Sequence, residues 1–358
     1  MPGMGAEPPR HPTGSPFPPA TVALDGFGAD RGPAVIVAGA RAATADGTRV
    51  RVFGDRGDLG ELKGVEGAEL CPAEETISNE DEPVRAVRSR PGASIVLAAR
   101  DVAEGRSDAL VSAGSTGATL AAALFALRRL QGVHRPALAV QLRLPARPDS
   151  PVLFLDVGAS SEVRPQHLVQ FAYLGSAFSR AVLGVERPRV ALLTVGEEQG
   201  KGTPALTAAH ESLLGASEIE FAGNVEGRDL PAGAADVIVS DGFTGNVALK
   251  TMEGTASEVA SAVRAAARSG PLAALGGLLL RPALGGLRRR LDPDTTGGAI
   301  LLGLRGVVVV AHGSSGPEGI ANAIRLADRC VRERAVERTA ELLRTSGATR
   351  GGLRDRKA

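Results

Sequence analysis

A chain of 358 residues with 43% hydrophobic and 23% charged side chains can bury a sizeable core and has the balance of a folded soluble protein, which excludes wholesale disorder. Its formal net charge of +1 and 3% aromatic content supply neither the field nor the stacking surface of a nucleic-acid binder. The two cysteines, Cys71 and Cys330, lie far apart with no CxxC or Cys/His pattern, which fits a reducing cytosol and argues against structural zinc.

Residues 1–20 are studded with Pro and Gly and hold no continuous apolar run, so they predict a disordered tail rather than a signal peptide or a membrane span. Beyond them, short apolar runs at 21–24, 50–53, 109–112, 153–157, 190–195, 237–240 and 307–311 alternate with helical stretches at 83–104, 116–130, 165–183, 203–214, 245–268 and 315–343. This alternation predicts an α/β fold with a mostly parallel sheet. The runs are nearly continuous Val, Leu, Ile and Ala, so helices should cover both faces in a three-layer α/β/α arrangement. We expect one catalytic domain over 21–345, with a second disordered tail at 346–358.

A helical hairpin is expected at about 256–292. Within it Ala, Leu and Gly dominate 271–280, and Arg281, Arg288, Arg289 and Arg290 follow. The segment is too short and too basic to span a bilayer. It suits either the membrane interface, leucines inward and arginines at the headgroups, or a dimer contact.

Five predicted strands run into small, polar, glycine-bearing segments: Ala113-Gly114-Ser115-Thr116-Gly117, Asp156-Val157-Gly158-Ala159-Ser160, Gly196 to Gly202, Asp241-Gly242-Phe243-Thr244-Gly245-Asn246 and His312-Gly313-Ser314-Ser315. Ligands of open parallel sheets bind outside the carboxyl ends of the strands, so these five are expected to line one cleft. Glycines beside a helix N-terminus let an anion approach free N–H groups; the alternative is a tight turn capped by Ser or Thr. The Asp241 segment offers a carboxylate, a hydroxyl and an amide within six residues; the alternative is an Asx turn, with Lys250 on a solvated face. Lys201 lies between two glycines beside Glu197 and Glu198, either near a phosphate or merely exposed. His312, at a strand end, can donate to a leaving group or serve a structural hydrogen bond. Three familiar motifs fail: residues 26–32 misplace the third glycine of G-x-G-x-x-G, residues 196–203 misspace a P-loop, and no G-x-S-x-G occurs.

Read in order, the chain resembles the PlsX family, the phosphate acyltransferases of bacterial phospholipid synthesis. The matching blocks are Ala23-Leu24-Asp25 with Gly28 and Asp30, Asp81-Glu82-Pro83-Val84-Arg85-Ala86-Val87-Arg88, Ser112-Ala113-Gly114 with Thr116-Gly117-Ala118, Arg135-Pro136-Ala137-Leu138-Ala139, Leu155-Asp156-Val157-Gly158-Ala159, Gly223-Asn224-Val225-Glu226, the run from Asp241 to Val247 with Leu249-Lys250-Thr251, Gly297-Gly298-Ala299, and Ala311-His312-Gly313-Ser314-Ser315. The resemblance implies a fold similar to phosphotransacetylases and isocitrate-type dehydrogenases, a homodimer, no cofactor and peripheral membrane contact from the cytoplasm. It also implies acyl carrier protein, inorganic phosphate and a downstream glycerol-3-phosphate acyltransferase as partners. Ser115 and Ser160 stand where the family pattern leads us to expect Asn, Phe27 and Ala29 interrupt an expected Met-Gly-Gly-Asp, and Thr296 stands where an aromatic is commoner.

In the expected reaction phosphate attacks a thioester carbonyl, an oxyanion forms and a thiolate leaves, with no enzyme nucleophile. Ser115, Thr116 and Gly117 are expected to bind phosphate, with Thr244 and Asn246 completing the pocket. Lys201 and His312 are the charge-stabilising candidates, with Asp241 to orient a lysine or hydroxyl. Gly114, Asp156, Gly158, Ser160, Asn224, Gly245, Lys250 and Ser314 are further candidates at the substrate site, Asp25 and Asp156 fixing loops. The competing readings are an isocitrate-type NAD-dependent dehydrogenase and a catalytically weak paralogue that scaffolds carrier protein.

Overall fold

A computed structural model describes residues 18–147, 150–280 and 293–349. In chain order its elements are β1 (Thr21–Asp25), α1 (Pro33–Ala45), β2 (Arg49–Gly54), β3 (Ala68–Pro72), α2 (Pro83–Ser89), α3 (Ser94–Ala103), β4 (Ala109–Ser112), α4 (Thr116–Ala126), β5 (Ala137–Leu142), β6 (Val152–Leu155), α5 (Pro165–Ala181), β7 (Arg189–Leu193), α6 (Pro204–Leu214), β8 (Glu220–Val225), β9 (Val237–Val239) and α7 (Gly242–Ala266). They continue through helical turns over 271–280, here α8, then β10 (Ala299–Leu302), β11 (Val307–Val310), α9 (Pro317–Arg332) and α10 (Ala335–Thr345).

The strands form one sheet in the order β3-β2-β1-β4-β11-β10-β5-β6-β9-β7-β8. All seven predicted apolar runs are strands of it. The central ones, among them Val307–Val310 and Val152–Leu155, are buried at every residue, as continuous apolar strands covered on both faces must be. One apolar cluster fills each side of the sheet, the larger beneath α1, α5, α9 and α10 and the other beneath α2, α3 and α4.

Two blocks of parallel strands make up the sheet, and they run in opposite senses. β10 is antiparallel to both neighbours, β11 and β5, and β5 is antiparallel to β6. Three reversals separate β11 from β6, so the carboxyl ends of β1, β4 and β11 point one way along the sheet, and those of β6, β9 and β7 the other. The expectation that five glycine-bearing ends share one edge is therefore corrected. Alternating strands and helices fix neither the sense of a four-residue strand such as β10 nor its place in the sheet.

Two predicted helices are each a pair. The 83–104 helix breaks after Ser89, where Pro91 has no N–H to donate and disfavours helical backbone at Arg90. The 315–343 helix breaks at Arg334, which takes a left-handed conformation (φ 52°) without any local glycine or proline to signal it. The tail boundaries also shift. Ala20 is buried and its N–H donates to Asp328 Oδ1 at 3.0 Å, while Gln170 Nε2 donates to the carbonyl of the buried Ala348 at 2.9 Å. Residues 20 and 346–349 thus belong to the packed body; residues 1–17 and 350–358 lie outside the described residues. Only Gly242, Gly245 and Leu249 of the 25-residue α7 are buried, so most of that helix stands off the body and α8 folds back beside its far end. The remainder of the expected hairpin, 281–292, lies outside the described residues.

Candidate functional site

At the ends of β1 and β4 the organising group is Asp25, which is buried. Its Oδ1 accepts from the Ser94 hydroxyl at 2.5 Å and from the Phe27 N–H at 3.3 Å, and its Oδ2 accepts from the Ser112 hydroxyl at 2.8 Å. Burial pushes the carboxyl upward from its ordinary pKa, against the pull of those three donors. Ser112 Oγ accepts in turn from the Gly114 N–H at 3.0 Å, which bends the chain into α4. A Cβ on Gly28 would sit 2.4 Å from Gly114 Cα, so two glycine loops touch backbone to backbone there. Ser115 is the N-cap of α4, its hydroxyl accepting from the Ala118 N–H at a long 3.4 Å. Its side chain thus serves the helix, while Thr116 and Gly117 form the first, partly exposed turn.

A second group lies at the ends of β6 and β9. Asp156 has no solvent exposure, and its Oδ1 gathers the N–H groups of Leu138 (3.0 Å), Gly158 (3.1 Å) and Ala159 (2.9 Å). Burial raises this carboxyl's pKa although those N–H groups pull it down. Its Oδ2 and the sealed Ser160 hydroxyl interact without a well-formed hydrogen bond. Asp156 and Ser160 therefore shape the turn from within rather than reach a ligand. Asp241 is the N-cap of α7, its Oδ1 accepting from the Thr244 N–H at 2.9 Å, which gives the carboxylate a structural duty in place of the expected orienting one. Asn246 Nδ2 donates to the Val157 carbonyl at 3.1 Å. A Cβ on Gly245 would lie 1.9 Å from the Asp156 carbonyl oxygen, so only glycine lets α7 start this close to β6. Gly158, Thr244 and Asn246 remain exposed at this surface.

Helix α7 joins the two groups. Lys250 lies two turns along it, and its Nζ is 3.2 Å from His312 Nε2 at the end of β11 and 2.8 Å from Glu253 Oε2. On its other side the imidazole meets Ser314, whose N–H donates to Nδ1 at 3.2 Å and whose Oγ lies 2.8 Å from the same nitrogen. Ser314 thus fixes the ring. Asn246 and Lys250, four residues apart, share a helix face, about 6 Å from one another along α7.

Lys201 belongs to a third place, the loop after β7. It is exposed, and among the described residues its ammonium has no ion pair or hydrogen bond; its stem packs against Gly196. Asn224, expected at the substrate, is buried and fully engaged: His210 Nδ1 lies 2.9 Å from its Oδ1, and its Nδ2 donates to the Glu198 carbonyl at 2.9 Å. It holds the loop that carries Lys201. Glu253, Ser94 and His210 escaped the sequence reading, and Ser112 stood there only within a matching block, without a role. Glu253 was detectable three residues beyond Lys250 on one helix face. The others carry no local signal, because their partners are 14 to 87 residues away. A cavity of about 230 Å³ lined by Arg180, Arg187, Glu218 and Glu220 opens at the starting ends of β7 and β8 and contains none of the predicted site residues.

Comparison with known proteins matches residues 20–338 to a family described as "Fatty acid synthesis protein". The chain is 45% identical over 313 residues to a phosphate acyltransferase of Geobacillus sp. (strain WCH70), covering 87% of this chain and 94% of that one. It is 46% identical over 324 residues to a phosphate acyltransferase of Thermobifida fusca (strain YX), covering 88% and 89%. Among solved structures, a phosphotransacetylase from Streptococcus pyogenes superposes with a TM-score of 0.56 at 17% identity, covering 89% of this chain and 94% of that one. The EutD phosphotransacetylase from Staphylococcus aureus does so with a TM-score of 0.55 at 17% identity, covering 87% and 94%. At such identities these two establish the fold alone.

Proposed function

The chain belongs to the fatty acid synthesis protein family of PlsX phosphate acyltransferases, and from that premise we propose that it moves a fatty acyl group from acyl carrier protein onto inorganic phosphate, feeding acyl-phosphate to phospholipid synthesis. The observation that carries this reading is the Lys250–His312 contact, which sets a cation and an imidazole where the two groups of strand-end loops meet.

Phosphate, held at the open turn of Thr116 and Gly117, attacks the thioester carbonyl, while the Thr244 and Asn246 side chains stand exposed at the other group of loops. The carbonyl π pair moves to oxygen, and on collapse the pantetheine thiolate departs. A thiol of pKa about 8.5 is already a good leaving group, so strong acid catalysis is unnecessary. What the reaction needs is an anion held beside the carbonyl and a fixed positive charge for the oxyanion. Positioning contributes up to roughly 7 to 11 kcal/mol and each oxyanion donor about 2.7 to 4. We assign the charge to Lys250, held by His312 and Glu253, with Lys201 as a second cation on its own loop.

The test is incubation of purified protein with acyl carrier protein thioester and phosphate. Acyl-phosphate and free carrier thiol should appear in equal amounts; absence of both would sink the reading. The exposed Leu272, Leu275, Leu278 and Leu279 of α8 suit a peripheral membrane contact or a second copy of the chain. No helix among the described residues is long and apolar enough to cross a membrane. Liposome flotation with Leu278→Glu and Leu279→Glu separates the two, since unchanged flotation removes the membrane role.

A further inference from the structure

The paired helices α2 and α4 carry a surface the reaction itself does not use. Their starts are locked together, because a Cβ on Gly117 would lie 2.7 Å from Pro83 Cγ. Further along, the Arg88 guanidinium stacks 5.0 Å from the Phe125 ring centroid, and both residues face solvent, as do Val84 and Arg85. Phe125 is 47% exposed and Val84 43%, which puts apolar surface on both helices of the pair. Aromatic and arginine side chains together are also what protein contacts favour at their centres.

Charge points the same way. The acids nearest in sequence are already engaged: Glu82 caps α2, accepting from the Val84 and Arg85 N–H groups, and Asp81 pairs with Arg90 at 2.8 Å. Among the described residues no carboxylate lies within ion-pair distance of Arg85 or Arg88. The face is therefore net positive around an apolar centre. Phe125 is nine residues along α4 from Thr116, about 14 Å from the open turn where phosphate is placed. A partner resting on this face can send a flexible arm along α4 to that turn.

We propose that the Val84, Arg85, Arg88 and Phe125 face docks the acyl carrier protein, through an acidic stretch of the carrier around one apolar contact. The proposal rests on the reading that the acyl donor is carrier-bound. Its test compares two donors at saturating phosphate: the carrier protein thioester and a free acyl-pantetheine thioester of the same chain length. Arg85→Glu with Arg88→Glu is expected to raise KM for the carrier donor about tenfold or more, to abolish its salt dependence, and to leave kcat and the free thioester unchanged. Phe125→Ala, which keeps both arginines, should raise the carrier KM a few-fold, and circular dichroism of each variant should match the parent. Unchanged carrier KM in both variants overturns the proposal, as does equal weakening of both donors. A parent enzyme that turns over the free thioester but not the carrier donor also overturns it, leaving acyl transfer to phosphate standing. One that turns over neither sinks the acyl-transfer reading, and is seen before any variant is made.

Discussion

Asp25 and Asp156 are both buried carboxylates at strand ends, yet they are held by different kinds of donor. Asp25 is served by two hydroxyls and one backbone N–H; Asp156 is served on one oxygen by three backbone N–H groups. A hydroxyl can rotate to another acceptor when its partner is removed, whereas an N–H fixed in a turn cannot. The β6 and β9 end should therefore be brittle and the β1 and β4 end forgiving, although both carry a mandatory glycine contact.

The largest effect is expected at the tightest contact. Gly245→Ala drives a methyl into the Asp156 carbonyl oxygen and should cost at least about 3 kcal/mol in urea unfolding, or leave no soluble protein. A normal transition would mean that α7 does not start against β6. On activity, Lys250→Ala should lower kcat by about 10² to 10³ with little change in Tm, whereas Lys201→Ala should cost about tenfold. Full turnover by the Lys201 variant removes that residue from the mechanism, and equal losses would leave no ground for preferring Lys250.

The comparison itself is broken or sharpened by two alanine variants. Asp156→Ala strands three N–H groups and should cost about 3 kcal/mol, against about 1 to 2 for Asp25→Ala, both by denaturant unfolding. A reversed order would show that donor type does not decide the matter.

The smallest effect is in pH. Burial raises both carboxyls above the ordinary value of 3.8, so the folded chain binds more protons than the unfolded one above that pH. Their stabilising contribution is complete below 3.8 and is lost as pH rises through the raised values. Thermal scans from pH 4 to 7 should show the parent losing stability relative to the Asp25→Asn, Asp156→Asn double variant as pH rises. Parallel curves would mean that neither group titrates in that window.

The same contrast explains what could be read before folding. Seven strands were legible because continuous apolar runs such as Val307–Val310 can only be strands or buried helix, and they are too short for helix. β3 and β8 were not, since edge strands that alternate buried and exposed residues read as ordinary loop. β5 and β10 escaped although both are buried, and their direction is a tertiary property that no local pattern encodes. At the site, the glycines and the Asp241 cap were visible as turn chemistry, and His312 as an isolated imidazole at a strand end. The Lys250–His312 contact was not, because 62 residues separate its partners and only the path of α7 brings them together.

The manner in which α7 is anchored also governs how force travels through the molecule. The last of its buried points, Leu249, is the residue next to Lys250, whereas Ala266 lies about 26 Å beyond Leu249. If the rod pivots at Leu249, a sideways push of about 3 Å at the far end moves the Lys250 backbone by only about 0.2 Å. Whatever α8 rests against can tug on the hairpin while the ammonium stays beside its imidazole: the long arm behaves as a shock absorber for the chemistry at its base.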